Sequence, residues 1–256
     1  MKATITVLGS GTSMGVPTIG CDCQVCTSSD AHDRRTRPSI LIGYNQRFVL
    51  IDSTPDFRQQ ALRENIRRID AVLYTHGHAD HILGLDDLRP LTFKREQKLP
   101  LYADEPTANI IERMFAYAFD PESTYSTRPQ VALQRLNGTL ELFGAKFQPL
   151  RVLHGDSEIT AFRFGTAAYL TDFSSIPEPT MQVLQNLDVL FLDALRRRPH
   201  PTHSSLDESV KIVERLKPRR AFFVHMSHDL AHEETNRHLP SNVRLAYDGM
   251  KLEFEI

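Results

Sequence analysis

Three imidazoles and one carboxylate fall within six consecutive positions, His76-Gly77-His78-Ala79-Asp80-His81, directly after the apolar run Ala71-Val72-Leu73-Tyr74-Thr75. No other feature constrains the fold as tightly. The apolar run reads as a buried strand, so the polar cluster must sit where that strand leaves the core. Residues two apart in extended backbone point to the same side, which aims His76 and His78 at one point and leaves Asp80 and His81 for a second, adjacent one. Neutral imidazoles and carboxylates are the usual ligands of zinc and similar divalent metals. An ordinary loop accounts for one histidine after a strand but not for three with an aspartate. The motif therefore reads as half of a two-metal hydrolytic site.

The same punctuation, an apolar strand and then a polar group, recurs downstream. Val152-Leu153 runs into His154, Tyr169-Leu170-Thr171 into Asp172, and Phe222-Phe223-Val224 into His225. Each alone is an ordinary loop residue, but strand ends are where functional groups gather on a rigid scaffold. Together they complete a ligand set. One ion would take His76, His78 and His154, the other Asp80, His81 and His225, and Asp172 would bridge both through its two oxygens.

The only three cysteines lie in Cys21-Asp22-Cys23-Gln24-Val25-Cys26. An odd number this close together is a poor disulfide framework and reads better as a metal clip that needs a fourth ligand from elsewhere. The net charge of −2 gives no general attraction to polyanions. No apolar stretch is long enough to span a bilayer, and the start alternates like a strand rather than a signal peptide. A cytoplasmic location with no membrane partner is the expectation.

Short strands alternate with amphipathic helices. Asn45-Gln46 reads as the turn of a hairpin, and Asn137-Gly138 as a second hairpin turn joining strands over 130–136 and 139–143. Helices are expected over 56–65, 106–119 and 181–186. Another is marked by the stripe Leu206, Val210, Val213 and Leu216, with Ser205 and Glu208 as a capping box. Segment 91–130 is either a cap over the site or surface helix and loop.

The H-x-H-x-D-H motif followed by separate His, Asp and His residues resembles the metallo-β-lactamase superfamily over essentially the whole chain. That resemblance implies an α/β fold, an αββα sandwich of two mixed β-sheets with helices on the outer faces, forming one domain over 1–256. Asp52, which closes the strand over 48–51, matches the family's early aspartate, which orders the metal loop by binding the ligands from behind. Gly9-Ser10-Gly11-Thr12-Ser13-Met14-Gly15-Val16-Pro17, followed by Gly20 and the cysteine clip, is similar to the phosphodiesterase branch that includes the phosphoribosyl cyclic phosphate phosphodiesterase of the carbon–phosphorus lyase pathway. In that branch the clip, here a loop at about 20–27, binds a structural zinc with a later histidine. His228, in His225-Met226-Ser227-His228, is the match.

The same branch has a histidine that contacts the scissile phosphate, and His203 in His203-Ser204-Ser205 matches it. The resemblance thus implies hydrolysis of a small cyclic phosphodiester, such as a cyclic ribose phosphate. Two divalent ions, zinc or manganese, would supply the hydroxide, with His203 as general acid and Asp80 as the second catalytic residue. Ribonuclease Z-like RNA cleavage ranks second, weakened by the charge balance and the absence of a long Gly/Pro-rich arm. Thioester, lactone or β-lactam hydrolysis is a further alternative on the same scaffold. A non-catalytic carrier resembling the pyrroloquinoline-quinone biosynthesis B protein is the non-enzymatic alternative. A homodimer is the assembly the resemblance suggests. The arginines Arg34, Arg35 and Arg37 and the run Arg196-Arg197-Arg198 read mainly as solvated surface, with one or two available to clamp a phosphate. His32, His200, His232 and His238 carry no motif.

Overall fold

The computed structural model describes residues 1–120, 122 and 127–256. The first sheet holds β1 (Lys2–Gly9), β2 (Ser39–Tyr44), β3 (Arg47–Ile51), β4 (Ala71–Leu73), β5 (Leu99–Ala103) and β6 (Val131–Arg135). The second holds β7 (Leu140–Leu142), β8 (Ala145–His154), β9 (Ser157–Phe164), β10 (Ala167–Leu170), β11 (Val189–Asp193), β12 (Arg220–Val224) and β13 (Val243–Leu245). The last strand, β14 (Lys251–Glu255), returns to the first sheet and pairs with β1. Each sheet thus has seven strands.

The two sheets share one plan. From β14 to β3, and from β7 to β10, neighbours are antiparallel. From β3 to β6, and from β10 to β13, they are parallel. The central parallel strands β4, β10 and β11 are buried throughout, which is why their sequences are continuous apolar runs rather than alternations.

Three apolar layers follow. Between the sheets, Val7, Ile42, Ile51 and Leu73 meet Phe147, Phe162, Tyr169 and Phe191. Outside the first sheet, Leu50, Val72 and Leu101 pack under Phe57, Leu85 and Ile111. Outside the second, Leu170, Leu190 and Phe223 pack under Met181, Leu206, Val213 and Leu216. This is the expected αββα sandwich. Among the described residues no helix is long and apolar enough to cross a membrane.

Most expected elements are present with shifted ends. Asn45 and Gln46 both have positive φ, 46° and 57°, as a two-residue type I′ hairpin requires. Helices span Phe57–Arg63, Glu178–Val183 and Leu206–Leu216, the last with the Ser205–Glu208 capping box. The helix expected over 106–119 is two helices, Glu105–Met114 and Ala116–Phe119, separated by Phe115 at φ −114° and ψ 36°. Phe115 breaks the helix and joins the apolar layer outside the first sheet.

Asn137-Gly138 is not a hairpin turn. The strand before it, β6, pairs with β5 in the first sheet, and the strand after it, β7, pairs with β8 in the second. Gly138 supplies the tight turn, at φ 76°, but the chain uses that turn to change sheets. Turn chemistry is local, whereas the partner of a strand is set by which core its apolar face joins. Val131 packs outside the first sheet and Leu142 lies between the sheets.

Segment 91–130 packs beside the histidine motif in its described part. A Cβ at Gly77 would lie 2.5 Å from Cδ1 of Ile110 in the helix Glu105–Met114. The remainder of that expectation, at 121 and 123–126, lies outside the described residues.

The inter-sheet layer generates a stability prediction. Phe147 is fully buried, with its ring centroid 5.7 Å from that of Phe164 and 6.2 Å from that of Tyr44. Phe147→Ala is expected to lower unfolding free energy by about 3–5 kcal/mol, read as the shift in a urea or guanidinium midpoint.

Candidate metal centre

The candidate ligands sit where strands of both sheets leave the core. Asp52 follows β3, and His76 follows β4 by two residues. His154 ends β8, Asp172 follows β10 by one residue, and His225 follows β12. Asp52, Asp172 and His225 have φ of 63°, 58° and 57°. The left-handed region is uncommon for residues with a Cβ, but Asp, Asn and His enter it most readily. At each of these positions the backbone turns sharply as it leaves the strand.

The histidine motif changes conformation midway. His78 is extended and caps the helix Ala79–Ile82, so Asp80 and His81 lie in a helical turn. The turn separates them from His76 and His78, and two clusters of ligand atoms result. His76, His78 and His154 form one, and Asp80, His81, Asp172 and His225 form the other; within each, ligand atoms lie within 4.8 Å of one another.

The spacing inside the second cluster fits a shared cation. His81 Nε2 is 3.3 Å from Asp80 Oδ2 and 3.4 Å from Asp172 Oδ2. His225 Nε2 is 3.5 Å from Asp80 Oδ2 and 3.1 Å from Asp172 Oδ2. Two ligands of a tetrahedral zinc with bonds near 2.1 Å are about 3.4 Å apart. Asp80 Oδ2, His81 Nε2 and His225 Nε2 are all buried without a hydrogen-bond partner. Orphaned buried groups cost about 1–3 kcal/mol each, so three converging on one point call for an ion.

Asp172 joins the clusters, though not through both oxygens as expected. Its Oδ1 accepts a hydrogen bond from the Thr171 hydroxyl. Oδ2 alone faces His81 and His225, and it lies 3.9 Å from His76 Nε2 in the other cluster. The bridging position is therefore a single oxygen. In the first cluster His76 Nε2 and His78 Nδ1 are 2.9 Å apart.

Hydrogen bonds behind the ligands fix their orientation. The buried Asp52 carboxylate accepts from the Thr75 amide at 2.8 Å, the Thr75 hydroxyl at 2.7 Å and His81 Nδ1 at 2.7 Å. His154 Nδ1 donates to the Thr202 carbonyl at 2.7 Å. In both rings this leaves Nε2 free for a ligand role.

Burial opposes ionisation throughout the site, but opposite charges prevail in the second cluster. Against burial, Asp172, Asp80 and Asp52 raise His81 well above the usual imidazole range. Against burial, Asp172, Asp80 and Asp193 lift His225 to about 9. Asp172 and Asp80 are driven below the carboxylate range by these same imidazoles, again against burial. The cluster demands positive charge. His76, by contrast, is pushed down by burial and then by His81, and a neutral imidazole is the form that binds metal.

His203 stands over both clusters. Its ring centroid is 4.7 Å from that of His154 and 4.7 Å from that of His225, onto which it stacks at 10°. Its Nδ1 contacts Asp193 Oδ2 at 2.7 Å. Burial, then His225, push His203 down to about 4, and burial pushes Asp193 up. The 2.7 Å contact between Nδ1 and Oδ2 is a hydrogen bond.

Asp193 was not singled out in the sequence, although it obeys the strand-end pattern used for the others. It follows Val189-Leu190-Phe191-Leu192, is fully buried, and places Oδ1 3.8 Å from His225 Nδ1. His200 also lies nearby, its ring centroid 5.1 Å from that of His203.

Three residues after His225, His228 meets the cysteine clip. Cys21, Cys23 and Cys26 Sγ lie 3.2, 3.6 and 3.3 Å from His228 Nδ1. Sulfur and nitrogen ligands of a tetrahedral zinc are separated by about 3.6 Å. The Thr18 amide also points at Cys26 Sγ, 3.3 Å away. The Cys3His set fits a closed structural site and would join the N-terminal loop to the segment that carries His225.

The arginines divide. Arg35 is structural rather than solvated: fully buried, it donates to the Ser227 carbonyl at 2.9 Å, the Leu230 carbonyl at 2.5 Å and Asp33 at 3.2 Å. Arg37 pairs with Asp56 at 3.1 Å. Arg197 and Arg198 are exposed on the loop leading to His203.

An αββα sandwich with imidazole and carboxylate clusters at the strand ends defines the metallo-β-lactamase type of fold and candidate metal centre. The chain belongs to the Beta-lactamase superfamily domain family, whose model matches residues 47–226. A crystal structure of a new diphosphatase from the PhnP family superposes with a TM-score of 0.95 and 61% identity, covering 100% of this chain and 98% of that one. Zinc-bound PqqB from Methylobacterium extorquens shares the fold at a TM-score of 0.77 and 22% identity, over 97% of this chain and 99% of that one. An octanoyltransferase of Porphyromonas gingivalis is 37% identical over 96% of this chain, which spans only 50% of that protein.

Metal analysis checks the strand-end site and the clip. Asp172→Asn is expected to lose the ions at the strand-end site and keep the clip ion. Cys26→Ser is expected to lose the clip ion, with any loss at the strand ends secondary to loosening of the loop. Elemental analysis of the purified variants reads both outcomes.

Proposed function

We propose that this protein is a metal-dependent phosphodiesterase that hydrolyses a small cyclic phosphodiester, with a cyclic ribose phosphate as the substrate class. The observation that carries the reading is His203, equidistant from His154 of one ligand cluster and His225 of the other. A leaving oxygen on a phosphoryl group needs a proton donor beside the charge-neutralising site, and this ring occupies that place.

Divalent ions bound at the two clusters, zinc or manganese, would acidify a water and neutralise charge on the phosphoryl oxygens. His76, His78 and His154 would hold one ion, and Asp80, His81 and His225 the other, with Asp172 Oδ2 between them. Hydrolysis joins the water oxygen to phosphorus and breaks the bond to the leaving oxygen. In this reading the Asp80 carboxylate takes up the proton of the water, and His203 delivers its own proton to the leaving oxygen. Asp193 is the positioning residue: it holds Nδ1 of His203 and leaves Nε2 as the exchanging nitrogen. Substrate phosphate beside His203 raises its proton affinity from the depressed value of the free site.

The 61%-identical relative is a diphosphatase, and the reading extends to that bond. A phosphorus within a substituted diphosphate also carries two ester-like oxygens, one of which leaves, so the same groups serve. The octanoyltransferase relative is matched over only 50% of its own length, so its printed activity does not carry over to this chain. The RNA-processing reading rests on fold alone, through a human short-form tRNase Z at 17% identity and a TM-score of 0.71, over 99% of this chain and 100% of that one.

Turnover of a panel tests the proposal. Cyclic ribose phosphates and aryl phosphodiesters are expected to be cleaved, and precursor tRNA to remain intact. Efficient tRNA cleavage would reverse the ranking. His203→Ala is expected to keep its metals and lose about 100- to 10,000-fold in kcat, less with an aryl leaving group that departs without a proton. Asp193→Asn is expected to lose about 10- to 100-fold. Unchanged kcat in His203→Ala would remove His203 from the chemistry.

A further inference from the structure

A fourth group of metal-binding donors lies outside the two strand-end clusters and the clip. His32, His232 and Glu233 each place one ligand atom within 4.8 Å of the other two. They come from distant parts of the chain. His32 lies in the short 3-10 turn Ala31–Asp33, and His232 and Glu233 open the helix His232–His238. No sequence motif links them.

A fixed scaffold holds them together. The Asp33 carboxylate accepts from the His232 amide at 2.8 Å. The buried Arg35 guanidinium ties Asp33 to the carbonyls of Ser227 and Leu230. The His32 ring lies between its neighbours, with its centroid 4.6 Å from that of His232 and 4.1 Å from that of Tyr247. His232 is only 4% exposed, and its buried Nδ1 has no hydrogen-bond partner. A buried imidazole nitrogen left unpaired beside a second imidazole and a carboxylate is an unmet demand of the kind a bound ion satisfies.

We propose that His32, His232 and Glu233 form an additional binding site for a divalent transition metal, zinc above all. Two imidazoles and one carboxylate suit zinc, nickel or copper and disfavour the hard ions magnesium and calcium, which take mainly oxygen ligands. Three protein ligands leave one coordination position for water or an exogenous group. An ion here would tie the turn Ala31–Asp33 to the helix His232–His238. It would brace the same segment that the clip grips at His228 and that carries His225.

Zinc stoichiometry tests this independently of how many ions the other clusters hold. Protein is equilibrated in buffered micromolar free zinc and analysed for bound metal. Wild-type protein is expected to carry one zinc equivalent more than His32→Ala or Glu233→Gln. Both changes are at partly or fully exposed side chains, and circular dichroism verifies the fold. His238→Ala, an exposed histidine on the same helix, is expected to match wild type. Equal zinc content in the wild type and in folded Glu233→Gln and His32→Ala would overturn the site.

Discussion

The candidate centre depends on one buried carboxylate. Asp52 gathers three hydrogen bonds, two from Thr75 and one from His81, and so ties the end of β3 to the loop that follows β4. A fully buried carboxylate without partners would cost several kcal/mol. Its satisfaction therefore forces the motif loop into one conformation. Gly84 completes the lock from the other side: a Cβ there would stand 2.0 Å from the Thr54 carbonyl oxygen, so only glycine lets the turn after the motif press against the loop after Asp52. Ligand geometry is thus a consequence of the backbone packing behind it.

The site also exists only because the two sheets pack face to face. The first sheet contributes Asp52 and the histidine motif, and the second contributes His154, Asp172, Asp193 and His225. Within each sheet the parallel strands end near the same edge, where open α/β sheets gather ligands. The backbone there adopts left-handed conformations at Asp52, Asp172 and His225. Such positions cost of order 1 kcal/mol each and persist because the inter-sheet core overdetermines them.

How much of this the sequence discloses depends on whether a signal is local. The histidine motif, the apolar strand followed by a polar residue, and the capping box at Ser205 are each carried by a few adjacent residues, and each led to the right element. Asn137-Gly138 carries a turn signal equally well, yet the signal holds no information about which sheet the next strand joins. Arg35 reads as one of three basic surface residues because nothing adjacent reveals that Ser227 and Leu230 will fold over it. His32 and His232 are ordinary in sequence for the same reason, being neighbours only through the Asp33–Arg35 scaffold. Asp193 is a different case, since its strand-end position matched the rule applied to Asp172 and His225.

In the proposed phosphodiesterase reading, Asp193 also supports His203 as a proton donor. The first cluster holds neutral imidazoles and the second concentrates positive charge on His81 and His225. An isolated His203 stacked on His225 would be disfavoured as a cation by burial and by that neighbour. The carboxyl of Asp193, itself raised by burial, is hydrogen-bonded to His203 Nδ1 across 2.7 Å. In that reading the donor is the pair and not the ring alone. In that reading it would protonate a leaving oxygen once an anionic substrate tips the shared proton toward the imidazole, which would couple substrate charge to the availability of the acid.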